Sequence, residues 1–376
     1  MKKFFCLICL ISVIFCSCAK KQGQLLPEPE KPSATSLPEP ETRVSFLGVG
    51  DNLIHDSVYI QANRYAGGNG YGTNAFDFKP MYKHVADKIA SADIAYINQE
   101  TIPGGAKLGI SSYPLFNSPQ EIIYDMKDIG FDVFSQATNH TFDKGVSGIQ
   151  SAYDLYKSIE GITAVGIYKK GEPNFGVREV NGIKVGFVNY TDITNGFSLP
   201  LKSEYYIPVL NNKKQIKTDI AYARAHADFV VVLVHWGIEN STEVSARQRE
   251  LAKIFADNGA DAVIGTHPHV IQPIEYIKNT LVVYSLGNFI SAQSQMPNMI
   301  EGMITFDFVK QGKNKKIENV RFTTLINYYT SHQRSIQVIP LSEYSVELGK
   351  THGLGDLSPE YATKMVNEII DAKYLG

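Results

Sequence analysis

The chain has 376 residues, of which 44% are hydrophobic and 20% are charged, and this composition excludes a mostly disordered polyelectrolyte. Its 36 Lys and Arg residues nearly balance 38 Asp and Glu residues. The net charge of -2 lacks the basic excess of a nucleic-acid-binding protein, so we expect no nucleic acid partner. The length allows two or three domains or one large α/β unit.

Residues 1–18 have the pattern of an export signal. Two lysines precede an apolar run over residues 4–15, which is shorter than the roughly 20 residues of a membrane-spanning helix. A small residue then precedes Cys18, as in a bacterial lipobox, although Phe15 stands where an aliphatic residue is usual. We expect lipidation of Cys18, export across the inner membrane and a lipid-anchored protein of the cell envelope. The alternative is a plain signal peptide cleaved near Ala19.

The rest of the N-terminal region, residues 19–42, is predicted to be an extended tether. Its five prolines alternate with Glu, Lys and Ser, a composition that does not form a core. We expect the folded domain to span residues 43–330, with residues 331–376 as a C-terminal extension that packs on the same domain. All four cysteines precede the folded domain, so a metal site in it must use nitrogen and oxygen ligands.

The body alternates predicted strands and helices, which is the pattern of an α/β protein. A helix is expected to begin with Ser118 as its N-cap and to end at Gly130. A hairpin is expected within residues 303–325. The other predicted strands are 44–49, 93–97, 132–137, 185–190, 229–234, 262–264 and 281–284, and the other predicted helices are 78–91, 145–160, 243–258 and 358–372.

Polar residues repeatedly follow a predicted apolar strand. In α/β proteins the carboxyl ends of strands are where ligands bind, because loops there converge while the sheet stays rigid. These residues are Asp51, Asn98, Glu100, Asn139, His140, His235, His267, His269 and Asn288.

Each of these residues also has a structural interpretation. His267 and His269 are compatible with a turn, His235 with a buried hydrogen-bonded group, and Glu100 with a surface charge. Asp51 and Asn139 are compatible with ordinary turn chemistry. Together, however, carboxylates, imidazoles and an amide oxygen suit Mn, Zn or Fe.

The pair Asn139-His140 predicts a further role beside such a site. His140 is expected to donate a proton or to contact the transition state rather than to bind metal. Asp143, three residues later, is expected to orient His140.

Six sequence blocks, in order within residues 43–330, resemble the signature of the CapA family of bacterial poly-gamma-glutamate capsule biosynthesis proteins. This family is similar in pattern to calcineurin-like metallophosphoesterases. The blocks are Gly50-Asp51, Asn98-x-Glu100, Thr138-Asn139-His140-x-x-Asp143, His235-Trp236-Gly237-x-Glu239, Gly265-x-His267-Pro268-His269 and Ser285-Leu286-Gly287-Asn288.

The resemblance implies an α/β fold with four layers, α-β-β-α, of the metallophosphatase type. It also implies one or two divalent ions, with His140 as the catalytic histidine. Two positions depart from the metallophosphoesterase pattern: Leu53 replaces a histidine ligand, for which His55 is a substitute candidate, and Glu100 replaces an aspartate. The ligands that the resemblance implies are Asp51, Glu100, Asn139, His235, His267 and His269.

Three functions are compatible with these features. The first is a metal-dependent hydrolase on the outer face of a membrane, which cuts phosphoesters or acts on a surface polymer. The second is a non-catalytic component of a machine that makes, moves or anchors an anionic capsule polymer such as poly-gamma-glutamate. The third is a lipid-anchored binding protein whose histidines are structural. Expected partners are the membrane, an anionic surface polymer and capsule-synthesis proteins.

Overall fold

The computed structural model describes Met1 and residues 39–70 and 75–375. The predicted signal peptide beyond Met1, the lipidation site Cys18 and most of the predicted tether lie outside the described residues. Residues Glu39–Gly376 form one compact unit. Within its described part, no helix has the length and apolar character needed to cross a bilayer.

The strands account for most of the regular structure. In chain order they are β1 (Thr42–Asn52), β2 (Ile94–Asn98), β3 (Val133–Ser135), β4 (Thr163–Val165), β5 (Tyr168–Lys169), β6 (Gly176–Val180), β7 (Ile183–Thr191), β8 (Tyr205–Tyr206), β9 (Phe229–His235), β10 (Ala262–Thr266), β11 (Ile271–Ile277), β12 (Thr280–Leu286), β13 (Asn288–Ile290), β14 (Ile300–Gln311), β15 (Asn314–Thr330) and β16 (Arg334–Pro340).

The helices mostly connect parallel strands. They are α1 (Asp56–Tyr65), α2 (Ala86–Ala90), α3 (Glu121–Ile129), α4 (Gly145–Ser158), α5 (Lys213–His226), α6 (Ala246–Asp257), α7 (Val346–Thr351) and α8 (Pro359–Ile369). Short 3₁₀ helices lie at Lys79–Tyr82, Ala106–Leu108, Asn139–Phe142, Met296–Met299, Leu341–Glu343 and Ala372–Tyr374.

Two large sheets contain most of these strands. The first has the order β16-β15-β14-β1-β2-β3-β4, with β13 also beside β1, and its β1 to β4 run parallel. The second has the order β11-β12-β10-β9-β7-β6, with β7, β9, β10 and β12 parallel. The short strands β5 and β8 pair separately.

The alternation of side chains along β9 explains the layers. Phe229, Val231 and Leu233 point into the core that the second sheet shares with the first, where Phe229 lies 4.8 Å from the ring of Phe308 on β14. The intervening valines of β9 point to the opposite face and join a second core with residues of α5 and α6. On the far side of the first sheet, α3 and α4 bury residues such as Met126 in the first core. This arrangement confirms the four-layer α-β-β-α sandwich.

Most predicted elements are present, with two differences. The helix predicted over residues 78–91 is a 3₁₀ turn followed by the short α2. The prediction that Ser118 caps α3 is wrong: the helix begins at Glu121, because the hydroxyl of Ser118 instead bonds to Thr101 Oγ1 at 2.7 Å. Gly130 ends α3 as predicted, with a φ of 121°.

Several elements were not predicted from the sequence, among them α1, α5, β11 and β16. Strand β16 pairs with β15, so part of residues 331–376 forms the edge of the first sheet. The alternating apolar residues Ile336 and Val338, both buried, are its short strand-like pattern.

Aligned strand ends position the site. In the first sheet Asp51 of β1 pairs with Asn98 of β2, and in the second sheet Thr266 of β10 pairs with His235 of β9. The carboxyl ends of these parallel strands therefore lie level within each sheet, as ligand-binding edges of α/β proteins do.

Candidate metal centre

The six predicted ligands all come from strand ends and are all buried. Asp51 lies at the end of β1, His235 ends β9, and His267 and His269 follow β10. None of the six is more than 3% exposed. The other two are Glu100, after β2, and Asn139, after β3.

Gly50 allows the Gly50-Asp51 block to lie against the Ser285-Leu286-Gly287-Asn288 block beside the predicted ligands. The backbone N–H of Asp51 donates to the carbonyl of Gly287 at 3.0 Å, and Asp51 pairs with Asn288. A Cβ atom at Gly50 would collide with the Gly287 carbonyl oxygen. Only glycine therefore allows β1 to approach the turn before Asn288 so closely.

A cluster of three side chains forms the centre of the site. Potential ligand atoms of Glu100, His267 and His269 lie within 4.8 Å of one another, all buried. Both carboxylate oxygens of Glu100 lack a hydrogen-bond partner. A buried carboxylate without partners is costly, and a cation removes that cost. The donor set of one carboxylate and two imidazoles therefore fits a divalent metal ion.

The other three predicted ligands surround this cluster. His269 Nδ1 lies 3.3 Å from Asp51 Oδ2, and His235 Nε2 lies 3.7 Å from Glu100 Oε1. His235 Nε2 also lies 2.9 Å from Asn139 Oδ1 and 3.1 Å from His267 Nδ1. The structure thus brings together all six residues, which lie far apart in the sequence.

Neighbouring polar groups orient these side chains. Asp51 accepts hydrogen bonds from Asn98 Nδ2 at 2.7 Å and from the backbone N–H of His267 at 3.0 Å. Thr266 Oγ1 lies 3.0 Å from His235 Nδ1, and Asn288 Oδ1 lies 2.9 Å from His269 Nδ1. Such contacts hold each ring so that its other nitrogen faces the site.

The backbone at the two final histidines is unusual. His267 has a φ of 99° and His269 a φ of 59°, on either side of Pro268. Non-glycine residues rarely adopt positive φ, and such strained positions concentrate at functional sites. The strain supports a role that needs both imidazoles on this turn.

Burial and charge shift the pKa values in opposite directions. Burial raises the pKa of Glu100 well above its usual value. Burial alone would lower the pKa of His269, but the negative charges of Glu100 and Asp51 outweigh it and raise that pKa to about 9. Burial lowers the pKa of His235 and His267 well below the usual value. His235 and His267 are therefore neutral imidazoles near pH 7, whereas His269 must release its proton when it binds a metal ion.

His140 lies beside the cluster with one nitrogen fixed. Thr138 caps the 3₁₀ helix Asn139–Phe142 by accepting a hydrogen bond from the His140 backbone N–H at 3.2 Å. His140 Nδ1 lies 2.7 Å from Asp143 Oδ2, which also accepts from the backbone N–H of Phe116 at 2.7 Å. The ring of Phe116 packs edge-on against His140 at 4.6 Å. This leaves Nε2 as the nitrogen of His140 that can exchange a proton with a substrate.

One of the two positions that depart from the metallophosphoesterase pattern is apolar and buried. Leu53 is only 2% exposed. His55 is not part of the three-residue cluster; its Nδ1 accepts a hydrogen bond from the backbone N–H of Ala292 at 3.2 Å. Only its Nε2 remains free of a backbone bond among the described contacts.

Sequence reasoning missed one buried carboxyl near the site. Glu301 on β14 is fully buried, and neither of its side-chain oxygens has a hydrogen-bond partner. Burial, with a smaller contribution from the charge of Asp51, raises its pKa well above the usual value. The sequence signal is weak, because the same strand also carries Asp307 and Lys310.

Acid is expected to destabilise the fold through His55. Burial lowers the pKa of His55 from 6.5 to about 4. Because the unfolded chain binds this proton at the higher pKa, stability is lost as the pH falls from about 6.5 to about 4, by about 3 kcal/mol in all. Urea denaturation at pH 7 and pH 4.5 should show a smaller loss of unfolding free energy for His55→Gln than for the wild type. Equal losses would contradict this explanation.

The fold and site together define a layered α/β protein with a buried Glu-His-His cluster suited to a divalent metal. Residues 45–293 match the family described as "Bacterial capsule synthesis protein PGA_cap". The match covers more than half of the chain, so the chain belongs to this family, which confirms the resemblance seen in the sequence blocks.

Two curated relatives support this placement. The chain is 30% identical over 207 residues to the PGA biosynthesis protein CapA of Bacillus subtilis, and the match covers 52% of each chain. It is 33% identical over 181 residues to the capsule biosynthesis protein CapA of Bacillus anthracis, covering 47% of this chain and 44% of that protein. The chain spans about half the length of these curated relatives.

Solved structures with similar folds include two enzymes. A phosphatase from Mycoplasma pneumoniae has a TM-score of 0.46 and 13% identity, covering 76% of this chain and 94% of that chain. A putative 5'-nucleotidase from Staphylococcus aureus has a TM-score of 0.46 and 16% identity, covering 80% of this chain and 54% of that chain.

Proposed function

We propose that the chain is a metal-dependent hydrolase of phosphoester bonds that acts in the synthesis of a bacterial capsule polymer. The convergence of Glu100, His267 and His269 at one buried point, with Glu100 lacking any hydrogen-bond donor, carries this proposal. In a purely structural role the carboxyl group would have only imidazole rings nearby, with His269 Nε2 and His235 Nε2 each 3.7 Å from Glu100 Oε1 and no hydrogen bond to either.

The residues divide into two roles in this proposal. A bound divalent ion, whether Mn, Fe or Zn, supplies a Lewis acid and lowers the pKa of water. Glu100, His267 and His269 hold one ion, and Asp51, Asn139 and His235 complete its surroundings or hold a second. His140 carries a proton on Nε2 to the departing oxygen, and Asp143 keeps its ring in place.

The biological setting comes from the relatives. Both curated relatives are capsule or PGA biosynthesis proteins, and we place this chain in the same process. Its partners would then be an anionic surface polymer, such as poly-gamma-glutamate, and other capsule-synthesis proteins.

Metal analysis followed by a substrate screen tests the proposal. The full-length protein, purified without added metal, is expected to carry one or two equivalents of Mn, Fe or Zn by mass spectrometry. It should then hydrolyse members of a panel of phosphomonoesters and phosphodiesters, and a chelator should stop turnover. A protein that binds no metal, even after soaking with each ion, and that leaves every ester intact would refute the proposal.

A non-catalytic role in the capsule machine is the second candidate. It is favoured by Leu53, because this buried apolar side chain cannot ligate a metal where a histidine ligand is usual. Metal binding without turnover on any ester, and unchanged capsule formation by a His140→Ala strain, would support this role over hydrolysis.

We also propose that Cys18 carries a lipid and holds the protein on the outer face of the membrane. The support is the lipobox-like sequence alone. Two or three acyl chains would give stable attachment. Cys18→Ser should move the protein from the membrane to the soluble fraction after cell lysis and centrifugation. A variant that still requires detergent for extraction would contradict lipidation.

A further inference from the structure

A cavity of about 470 Å³ opens beside the helix that carries His140. We call it the loop cavity, because residues 194–201 form one of its walls. Its apolar lining includes Phe142, Phe197, Leu199, Tyr205 and Ile207. It has the size of a small-molecule site and lies apart from the metal ligands themselves.

The loop cavity adjoins the 3₁₀ helix that carries Asn139 and His140. Phe142, part of its wall, is the last residue of the 3₁₀ helix that begins with Asn139. The side-chain amide of Asn139 lies 3.5 Å from Asn195 Oδ1, and Asn195 follows Thr194 of the cavity wall. The cavity wall therefore lies one side-chain contact away from the predicted ligand Asn139.

The side chains that line the loop cavity are mainly apolar. Phe197 is 44% exposed and Leu201 is 97% exposed, although both belong to the lining. Apolar side chains grouped in this way at a cleft mark a binding surface. Lys170 is the only charged residue of this lining, and its ammonium group donates to the carbonyl of Leu201 at 2.9 Å.

We propose that the loop cavity receives the hydrocarbon part of an amphipathic phosphoester whose phosphate lies at the metal centre. This inference rests on the proposed hydrolase function and names its substrate class. A polyanionic chain does not fit the cavity, because a single lysine cannot compensate repeated carboxylates. A hydrocarbon chain fits, because it gains by leaving water at every methylene group.

Binding of alkylphosphonates tests the cavity independently of turnover, because their carbon–phosphorus bond is not a substrate bond. Butyl-, hexyl- and octylphosphonate are titrated calorimetrically, below their micelle concentrations, into the metal-loaded full-length protein. The protein carries Cys18→Ser so that no acyl chain of its own competes. Affinity is expected to rise about threefold to fourfold for each added methylene. An affinity independent of chain length would overturn the proposal.

Matched variants locate the effect. In the wild type, the binding affinity is expected to rise from butyl- to octylphosphonate. Phe197→Ser and Leu201→Ser are each expected to reduce this rise in affinity at least tenfold. Tyr361→Ser, on α8, removes an apolar side chain that is 40% exposed and should leave this rise unchanged. An equal rise in affinity with chain length in all three variants would show that the hydrocarbon binds elsewhere, and it would refute the cavity assignment.

Hydrolysis of butyl and octyl phosphate separates this inference from the proposed function. If octyl phosphate has the larger kcat/KM and Phe197→Ser removes the difference, both proposals stand. If neither ester is cleaved while the chain-length dependence of phosphonate binding persists, the hydrolase proposal fails and the cavity assignment stands. If both esters are cleaved with the same kcat/KM and the affinity for the phosphonates does not depend on chain length, only the cavity assignment fails.

Discussion

His267→Ala is expected to remove most of the bound metal. Its ring is one of three potential ligands within 4.8 Å of one another, so the variant leaves only one imidazole and one carboxylate in the cluster. Loss of an outer partner of a ligand already weakens metal binding about 10–100-fold, so loss of a ligand should cost about 100-fold or more. Mass spectrometry of the purified variant measures its metal content, and titration with Mn, Fe or Zn measures its metal affinity.

His352→Ala is the matched control for this prediction. His352 is also buried, at 4% exposure, and it bonds to the backbone carbonyl of Asn327 at 3.2 Å, far along the chain from the predicted ligands. The His352→Ala variant should therefore contain as much metal as the wild type. Equal metal content in wild type and His267→Ala would refute the ligand assignment.

The carboxylate of the cluster offers a second test of the same prediction. Glu100→Gln replaces a buried carboxyl group whose oxygens have no hydrogen-bond partner, so the metal-free variant should be at least as stable as the wild type. A ligand that binds only the folded state raises the Tm. We therefore expect added metal to raise the Tm of the wild type and not that of Glu100→Gln.

His140→Ala is expected to lower kcat about 100- to 10,000-fold while the metal stays bound, if the protein hydrolyses phosphoesters as proposed. His140 lies outside the three-residue cluster, so its loss removes a proton carrier and no ligand. Single-turnover kinetics on the best ester of the screen, with metal analysis of the same preparation, measure both quantities. Unchanged turnover would exclude a catalytic role for His140.

Asp143 should act through His140. Asp143→Asn keeps the side-chain shape but replaces the carboxylate that lies 2.7 Å from His140 Nδ1. We expect a smaller loss of kcat than in His140→Ala, together with a shifted pH–rate profile, which a merely structural role would not produce. His84→Ala changes a partly exposed histidine that bonds to Glu343 and should leave the profile unchanged.

The convergence of the six predicted ligands was predictable because its signal is local. Each candidate follows an apolar run, and the carboxyl ends of parallel strands meet at one edge of a sheet. Asp51, Glu100 and His235 could therefore be singled out without knowledge of their neighbours. The glycine at position 130 likewise marked a helix end correctly.

Other features depended on contacts between distant parts of the chain. Ser118 has a good capping sequence, yet its hydroxyl bonds to Thr101 on another loop. The Asp51 carboxylate accepts from the backbone of His267, 216 residues away. No pattern within a short window of sequence contains such a pair.

By itself, the sequence of this protein determined the α/β alternation, the absence of thiolate ligands from the folded domain and the residue types at the strand ends. These follow from periodicity and composition, which act over a few residues. Only the tertiary structure decided that Glu100 has no donor, that Asn288 orients His269, that Glu301 is buried nearby and that the loop cavity adjoins His140. The physical reason is that burial and hydrogen-bond pairing depend on which distant segments pack together, and that choice belongs to the whole fold.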